Sequence, residues 1–308
     1  GITLEMLGSL QKTTYPNVEI IIVDNGSPFD NPDILKEKYP KIKLVKSKHN
    51  LGFAGGNNLG IKEANGKYLF FLNNDTEVEP DFLEPLVEIM EQDPAIGLVS
   101  PKLVYFFSEN KKTIQYAGST GINPATGRGK KIGSFKYDDG SYDDIRETSL
   151  GHGAAMMIPM KVILEVGLMP DLFFLYYEEH DWTEMIKRAG YKVFYVGTST
   201  VYHKESMSVG KNTPLKMYYM NRGRLIFTRR NSKGFKLFTS LLFFTFLSVP
   251  KNTLKLLLKA EFKLLKAFWQ AYLWHWLHHN VKINPELKIN KDGTREIIND
   301  TVQHVKKF

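Results

Sequence analysis

Two apolar runs in the first quarter of the chain end in side chains that could hold a cation or a sugar. Lys67-Tyr-Leu-Phe-Phe-Leu-Asn-Asn-Asp-Thr76 stops at Asn73, Asn74 and Asp75, and Val18-Glu-Ile-Ile-Ile-Val-Asp24-Asn-Gly-Ser27 stops at an acid and a Gly-Ser turn. Short runs rich in aromatic and β-branched residues predict buried strands. At the carboxyl edge of an α/β sheet, where ligands bind, a carboxylate beside amides can hold a hard divalent ion against a diphosphate. A polar turn whose Asn and Asp satisfy their own backbone uses the same residue types. A third group of acids, Glu178, Glu179 and Asp181, lies in Tyr176-Tyr-Glu-Glu-His-Asp-Trp-Thr-Glu-Met-Ile-Lys-Arg-Ala-Gly190, whose latter part alternates like a helix. Acids in a first helical turn compensate the helix dipole. Crowded after an aromatic run, they can also raise one carboxyl towards the pKa of a useful base. Histidine stands twice at informative places, as His152 between two glycines and as His203 closing the strand-like Ser199-Thr-Val-Tyr-His203. Arg222 and Arg224, after Tyr218-Tyr219, could reach a diphosphate or lie on a helix surface.

Between the first two strands the sequence predicts a short helix (32–39), a strand (42–45) and the glycine-rich Asn50-Leu-Gly-Phe-Ala-Gly-Gly-Asn-Asn-Leu-Gly60. Strand then helix, with acids or glycines at strand ends, is the pattern of a doubly wound parallel sheet. The glycines lack the Gly-x-Gly-x-x-Gly spacing of a dinucleotide site, which disfavours a nicotinamide dehydrogenase. The remaining reading is a loop that enters a helix through Gly55 and Gly56, with Asn57 and Asn58 facing a nucleotide or sugar; a plain helix entrance uses the same residues.

In order and spacing, Val23-Asp-Asn-Gly-Ser27, the glycine-rich segment and Leu72-Asn-Asn-Asp-Thr76 resemble family 2 glycosyltransferases of the GT-A fold, in the rhamnosyltransferase-like and galactofuranosyltransferase-like branch. The resemblance continues through Gly151-His-Gly-Ala-Ala-Met-Met-Ile158, the segment from Val166 to Trp182, and Ala189-Gly-Tyr191, roughly the first two thirds of the chain. It implies a mixed, mostly parallel sheet flanked by helices, and an inverting, metal-dependent hexosyltransferase of polysaccharide synthesis. The donor would be a UDP- or dTDP-linked sugar and the acceptor a glycan or lipid-linked hydroxyl. By position the resemblance puts Glu179, where relatives carry Asp, in the role of general base, with Glu178 and Asp181 as competing acids. It puts Asp24, Asn25, Ser27, Asn57, Asn58, Asn74 and Asp75 at the donor, His152 and Gly153 at the acceptor, and Asp75 with His203 on Mn²⁺ or Mg²⁺. It further implies an apolar first strand ahead of the helix-like Gly1-Ile-Thr-Leu-Glu-Met. A nucleotidyltransferase and a non-catalytic membrane-bound assembly protein are the rival readings.

Composition agrees with a large α/β body. The chain has 308 residues, 43% of them apolar, enough for a sizeable core. Cysteine is absent, so there is neither a disulfide framework nor a thiolate metal site, which fits a reducing, cytoplasmic setting. Residues 1–203 carry 21 Lys+Arg against 27 Asp+Glu, while residues 204–308 carry 20 against 6. The expected division is therefore a catalytic domain at 1–212 and a basic, amphipathic, helical membrane-associating region at 213–308. Between Lys236 and Lys251 lie 14 uncharged, mostly apolar residues, fewer than the ~20 that span a bilayer. Beyond them Lys251, Lys255, Lys259, Lys263 and Lys266 recur at helical spacing beside Leu254, Leu257, Leu258, Leu265, Phe268, Trp269, Tyr272 and Trp276. Lysines flanking an apolar face with Trp and Tyr predict a helix lying in an anionic membrane surface, on the cytoplasmic side. Packing on the catalytic domain is the alternative, and no nucleic-acid-binding motif accompanies the charge.

Overall fold

Nine of the ten residues from Ile96 to Tyr105 are buried, without the alternation of a strand that has one wet face, and this segment forms the middle of the structure. A computed structural model describes residues 1–28, 30–108, 111–123, 126–204, 213–278, 281 and 283–299. Helix α1 (Ile2–Leu10) leads to β1 (Ile21–Asp24), α2 (Asp33–Lys38), β2 (Lys43–Lys46), α3 (Gly52–Glu63), β3 (Tyr68–Leu72), β4 (Thr76–Val78), α4 (Glu84–Gln92) and β5 (Ile96–Tyr105). Then come β6 (Ile114–Tyr116), the hairpin β7 (Ser119–Asn123) and β8 (Arg128–Lys131), β9 (Ile145–Glu147), β10 (Ala155–Pro159), α5 (Met160–Val166), α6 (Glu178–Arg188) and β11 (Lys192–His203).

The main sheet runs β3-β10-β5-β11-β4, with β6 on β5 and β9 on β11. One core packs Leu7, Leu86 and Met90 against Ile96 and Leu103. The other packs Val162, Ile163, Trp182 and Ile186 against Leu98 and Met156. The sheet is mixed, but only β5 and β11 pair in parallel within it; the ladders of β10, β4, β6 and β9 are antiparallel, so the expectation of a mostly parallel sheet is corrected. The parallel strand-helix-strand order holds for β1 and β2, which form a two-stranded sheet of their own.

The glycine-rich segment also differs from expectation. Its helix already begins at Gly52, so Gly55 and Gly56 are buried inside α3 rather than lining its entrance. Gly52 has φ +75°, and a Cβ there would stand 2.2 Å from the Phe174 carbonyl oxygen. That carbonyl accepts the Phe53 N–H at 2.7 Å. Only glycine lets the backbones approach this closely, and the contact docks α3 on the loop that precedes the acidic helix.

Beyond residue 212 the chain forms α7 (Pro214–Asn231), α8 (Gly234–Phe243), a π-helical stretch (Phe244–Ser248), α9 (Val249–Leu258), α10 (Phe262–Leu277) and a hairpin of β12 (Glu286–Ile289) and β13 (Arg295–Ile298). The region is thus not helical throughout. Leu287 and Ile297 of the hairpin pack on the second of these cores, and Arg295 donates to the Ala64 carbonyl. From Gly234 to Leu258 the helix is continuous over 25 residues and, by length and composition, long enough to cross a membrane. One face of it packs on α10, however, with Val249 and Leu256 against Phe268 and Thr245 Oγ1 3.0 Å from Tyr272 Oη.

Candidate active site

Antiparallel pairing of β4 with β11 sets His203 opposite Thr76, and the Lys204 N–H donates to the Asp75 carbonyl at 2.9 Å. Two side chains far apart in sequence are thereby brought together: His203 Nε2 stands 3.2 Å from Asp75 Oδ1. Both residues are buried. On its other side His203 Nδ1 lies 2.8 Å from Gln115 Oε1, on β6. With Nδ1–H donating to that oxygen, Nε2 and the Asp75 carboxylate face each other as two acceptors, an arrangement that a divalent cation satisfies. No third His, Cys, Asp or Glu joins them among the described residues. Two protein donors leave positions for phosphate oxygens and water, as nucleotide-bound Mg²⁺ and Mn²⁺ require, and the imidazole favours Mn²⁺.

The loop from Gly151 to Ala154 is tied to this strand end, because the Asn73 N–H donates to the Ala154 carbonyl at 3.0 Å. The ring centroids of His152 and His203 are 6.3 Å apart. One residue on, a Cβ at Gly153 would lie 3.3 Å from Glu179 Cγ. His152 and Gly153 therefore touch the two halves of the site, the imidazole-carboxylate pair on one side and the acidic helix on the other.

Helix α6 starts from strained backbone: Phe174, Tyr176 and Tyr177 all have positive φ, a conformation costing of order 1 kcal/mol or more per residue. Buried Arg222 secures this loop by donating to the Leu172 and Phe173 carbonyls at 2.8 and 2.6 Å, and Tyr177 Oη donates to the Gly127 carbonyl at 2.8 Å. Arg222 is therefore a structural residue and not a diphosphate ligand.

The three acids have three environments. Glu178 is buried, and burial together with the neighbouring Glu179 carboxylate holds its carboxyl well above the usual range. Asp181 is fully buried; it accepts from Arg230 Nε at 2.8 Å and from Asn231 Nδ2 at 2.6 Å. Burial raises its carboxyl, opposed by Arg230 and Asn231. This clamp between α6 and α7 removes Asp181 from the candidate bases. Glu179 keeps some exposure, lies against the Gly153 loop, and has Oε1 3.4 Å from His180 Nδ1.

The donor candidates divide likewise. Asn58 is buried, with Nδ2 donating to the Met169 carbonyl at 2.9 Å and Oδ1 accepting the Met169 N–H at 3.1 Å. Both ends of its amide are used, so it is corrected from ligand contact to packing device. Asn57 turns back on its helix, donating to the Phe53 carbonyl at 2.9 Å. Asn25 staples the glycine-rich segment, donating to the Gly52 carbonyl at 2.8 Å and accepting the Leu51 N–H at 2.9 Å. Asp24 Oδ1 accepts the Ser27 N–H at 3.1 Å, forming the turn after β1. Asn74 donates to Thr3 Oγ1 at 3.2 Å. Gln115 and Lys131, both at the site, carry no motif in the sequence.

The architecture is that of the nucleotide-sugar transferases of the GT-A fold. Structural likeness is seen to GalNAc-T7 solved with UDP, GalNAc and Mn²⁺ (TM-score 0.55, 17% identity, 73% of this chain and 44% of that one). It is also seen to the Pyrobaculum calidifontis mannosyltransferase PcManGT solved with GDP-Man and Mn²⁺ (TM-score 0.54, 14% identity, 91% and 72%). The family described as Glycosyl transferase family 2 matches residues 2–158, and the chain belongs to it. Among relatives, the low-salt glycan biosynthesis hexosyltransferase Agl10 of Haloferax volcanii is 27% identical over 176 residues, 55% of this chain and 53% of that protein. The N-acetylglucosaminyl-diphospho-decaprenol L-rhamnosyltransferase of Mycobacterium tuberculosis is 20% identical over 246 residues, 74% and 80% of the two chains. The chain spans about half the length of the Haloferax protein, and its match to the O-antigen biosynthesis protein RfbC of Myxococcus xanthus covers 8% of that protein.

Proposed function

We propose that this chain transfers a hexosyl unit, with inversion, from a UDP- or dTDP-linked sugar to a hydroxyl of a glycan or lipid-linked acceptor in cell-surface polysaccharide synthesis. The observation that carries this is the bridge made by His152 and Gly153 between the Asp75–His203 pair and Glu179. A cation held by Asp75 and His203 would neutralise charge developing on the departing diphosphate. Glu179 takes the acceptor hydroxyl proton as that oxygen bonds to the anomeric carbon; the carbon-oxygen bond to phosphate breaks, and its electron pair leaves with the nucleoside diphosphate. The relatives' names support the substrate class, since the M. tuberculosis protein is named for a diphospho-lipid acceptor and both solved neighbours hold a nucleotide with Mn²⁺. Incubating the chain with UDP-, GDP- and dTDP-sugars and Mn²⁺, after a thermal-shift screen for binding, should release nucleoside diphosphate. Release of pyrophosphate instead means attack at phosphorus and a nucleotidyltransferase; no turnover with any donor and acceptor favours a non-catalytic role.

The same reading places the enzyme on the cytoplasmic face of a membrane, with residues 213–308 as its associating region. Phe235, Phe238, Phe246, Leu247, Leu257, Leu258, Trp269 and Trp276 are exposed, while Phe244 and Phe268, the latter placed by the sequence on the membrane-facing arc, are buried. Lys251, Lys255, Lys259, Lys263 and Lys266 are exposed around them. The stretch free of charge between Lys236 and Lys251 is about 21 Å long at 1.5 Å per residue, short of the ~30 Å hydrocarbon core, which favours lying on the bilayer over crossing it. Replacing Lys255, Lys259 and Lys263 together by Gln should sharply weaken sedimentation with anionic vesicles, each lysine contributing ~1 kcal/mol near such a surface. If the wild-type chain ignores anionic vesicles, these faces cover protein instead. Deletion after Arg230 is a poor test, because Arg230 also donates to the Val281 carbonyl at 2.5 Å and to Asn284.

A further inference from the structure

A second cleft opens on the main sheet, away from the cation pair. Successive side chains of a strand point to opposite faces. Along β11, His203 turns to Asp75 and Gln115, while Tyr202 turns the other way and donates from Oη to Glu79 Oε1 at 2.6 Å. Tyr202 and Thr200, with Lys102 and Val104 of β5, line a cleft of about 400 Å³, within the ~300–1,000 Å³ of small-molecule sites.

The charges lining it are equal in number: Lys102, Lys111 and Lys112 against Asp138, Asp139 and Asp143. Lys102 is buried, with Nζ 2.8 Å from Asp138 Oδ2 and paired also with Asp143 Oδ1. Neutralising one buried ammonium accounts for those two acids. It does not account for Asp139 and Lys112, both exposed on the same cleft. Nor does it account for Lys111, which lies 3.9 Å from Glu77 and over the rings of Phe106 and Tyr202 at 4.2 and 4.9 Å. Beside Lys112 stands the ring of Tyr137, 62% exposed and 5.7 Å from that ammonium.

The segment that carries Tyr137, Asp138 and Asp139 is fixed by its backbone. The Asp138 N–H donates to the Lys112 carbonyl at 2.7 Å, and the Ile114 N–H to the Lys136 carbonyl at 2.8 Å. Acids, ammoniums and aromatic ring are therefore held in one arrangement.

A lining without net charge selects neither a diphosphate nor a cation. Carboxylates that only accept and ammoniums that only donate, set together in one cleft, suit a ligand whose every polar group does both, and a hydroxyl is such a group. An exposed aromatic face beside them suits an apolar surface of C–H bonds. A neutral pyranose has this division, polar around its rim and apolar across its faces.

We propose that this cleft is a second, non-catalytic sugar site that takes a neutral pyranose unit of the acceptor glycan, with Tyr137 against the ring and Asp139, Asp143 and Lys112 on its hydroxyls. That the sugar belongs to the acceptor rests on the glycosyl-transfer reading above; that the cleft binds a sugar does not. The test is saturation-transfer NMR of the full chain, titrated with the methyl pyranosides of glucose, galactose, mannose, rhamnose and N-acetylglucosamine. Wild type is compared with Tyr137→Ala, Tyr137→Phe and Asp139→Asn; both positions are exposed, so the variants should keep the wild-type melting temperature. At least one glycoside should receive saturation on its ring C–H groups. Tyr137→Ala should weaken it about 5-fold, the scale of one lost stacking contact, Asp139→Asn should also weaken it, and Tyr137→Phe, which keeps the ring, should not. Saturation should persist in Asp75→Ala and with excess UDP and Mn²⁺, because the cation pair lies on the other face. No saturation from any of the five, equal affinity in Tyr137→Ala, or displacement by UDP overturns this inference and leaves the glycosyl-transfer reading untouched. A sugar lost from Tyr137→Ala by a chain that turns over no donor overturns the acceptor assignment with that reading, and leaves the sugar site standing.

Discussion

Asp75→Ala should abolish the Mn²⁺-dependent part of nucleoside diphosphate binding while the protein stays folded. The substitution removes the one carboxylate of the imidazole-carboxylate pair, and a lone imidazole does not hold a hard divalent ion. Because Asp75 is buried, the change also removes packing beside His203, at a cost of about 0.5–3 kcal/mol, the usual range for a single substitution. That is smaller than the 5–15 kcal/mol by which domains are typically stable. Calorimetric titration with and without a chelator separates the two effects. Equal metal-dependent affinity in the variant would remove Asp75 from the cation site, and loss of the cooperative melt would leave His203→Ala, with the carboxylate kept, as the variant to measure.

Glu179→Gln should lower the rate of transfer by ~10² or more, the scale for removing a general base, with donor affinity near that of the wild type. The amide keeps the shape of the side chain against the Gly153 loop and deletes only the capacity to take a proton. Glu178→Gln should cost less, because burial and the neighbouring Glu179 carboxylate disfavour the charged form of that carboxyl. Asp181→Asn should lower stability rather than turnover per folded molecule, because it breaks a fully buried ion pair with Arg230, a loss on the order of 3–5 kcal/mol when the remaining charge stays buried. Single-turnover rates beside melting curves distinguish the three. A silent Glu179→Gln with an inactive but stable Asp181→Asn would place the base two residues further along α6.

Local chemistry was readable from the chain, and pairings across it were not. The run ending at Asp75 declared a strand because its apolar residues and its abrupt polar stop are properties of one short segment. The acidic helix declared itself in the same way. Asn58 looked like a ligand because its partner, the Met169 backbone, lies 111 residues away. Asp181 remained an acid candidate until Arg230, 49 residues on, was seen to neutralise it. The antiparallel ladders escaped notice because buried parallel and antiparallel strands share the same apolar composition. Lys131 and Gln115 belong to exposed and short strands with no motif, and their contacts with His152 and His203 arise only when β8 and β6 meet the His152 loop and the end of β11.

The segment from α8 to α10 leaves the catalytic body and returns to it. At the outgoing end α7 is clamped to the acidic helix through Arg230 and Asp181; at the returning end the Leu168 N–H donates to the Pro285 carbonyl at 3.0 Å and the β12–β13 hairpin packs on α3. A tether fixed at one end confers only proximity, raising the local concentration of whatever it brings near. A segment fixed at both ends also confers a tilt and a height. Docked through its outward face, this one would hold the Gly153 loop at a set distance above the surface, so that the reach of an acceptor's hydroxyl, measured from its anchor, becomes a selection rule in its own right.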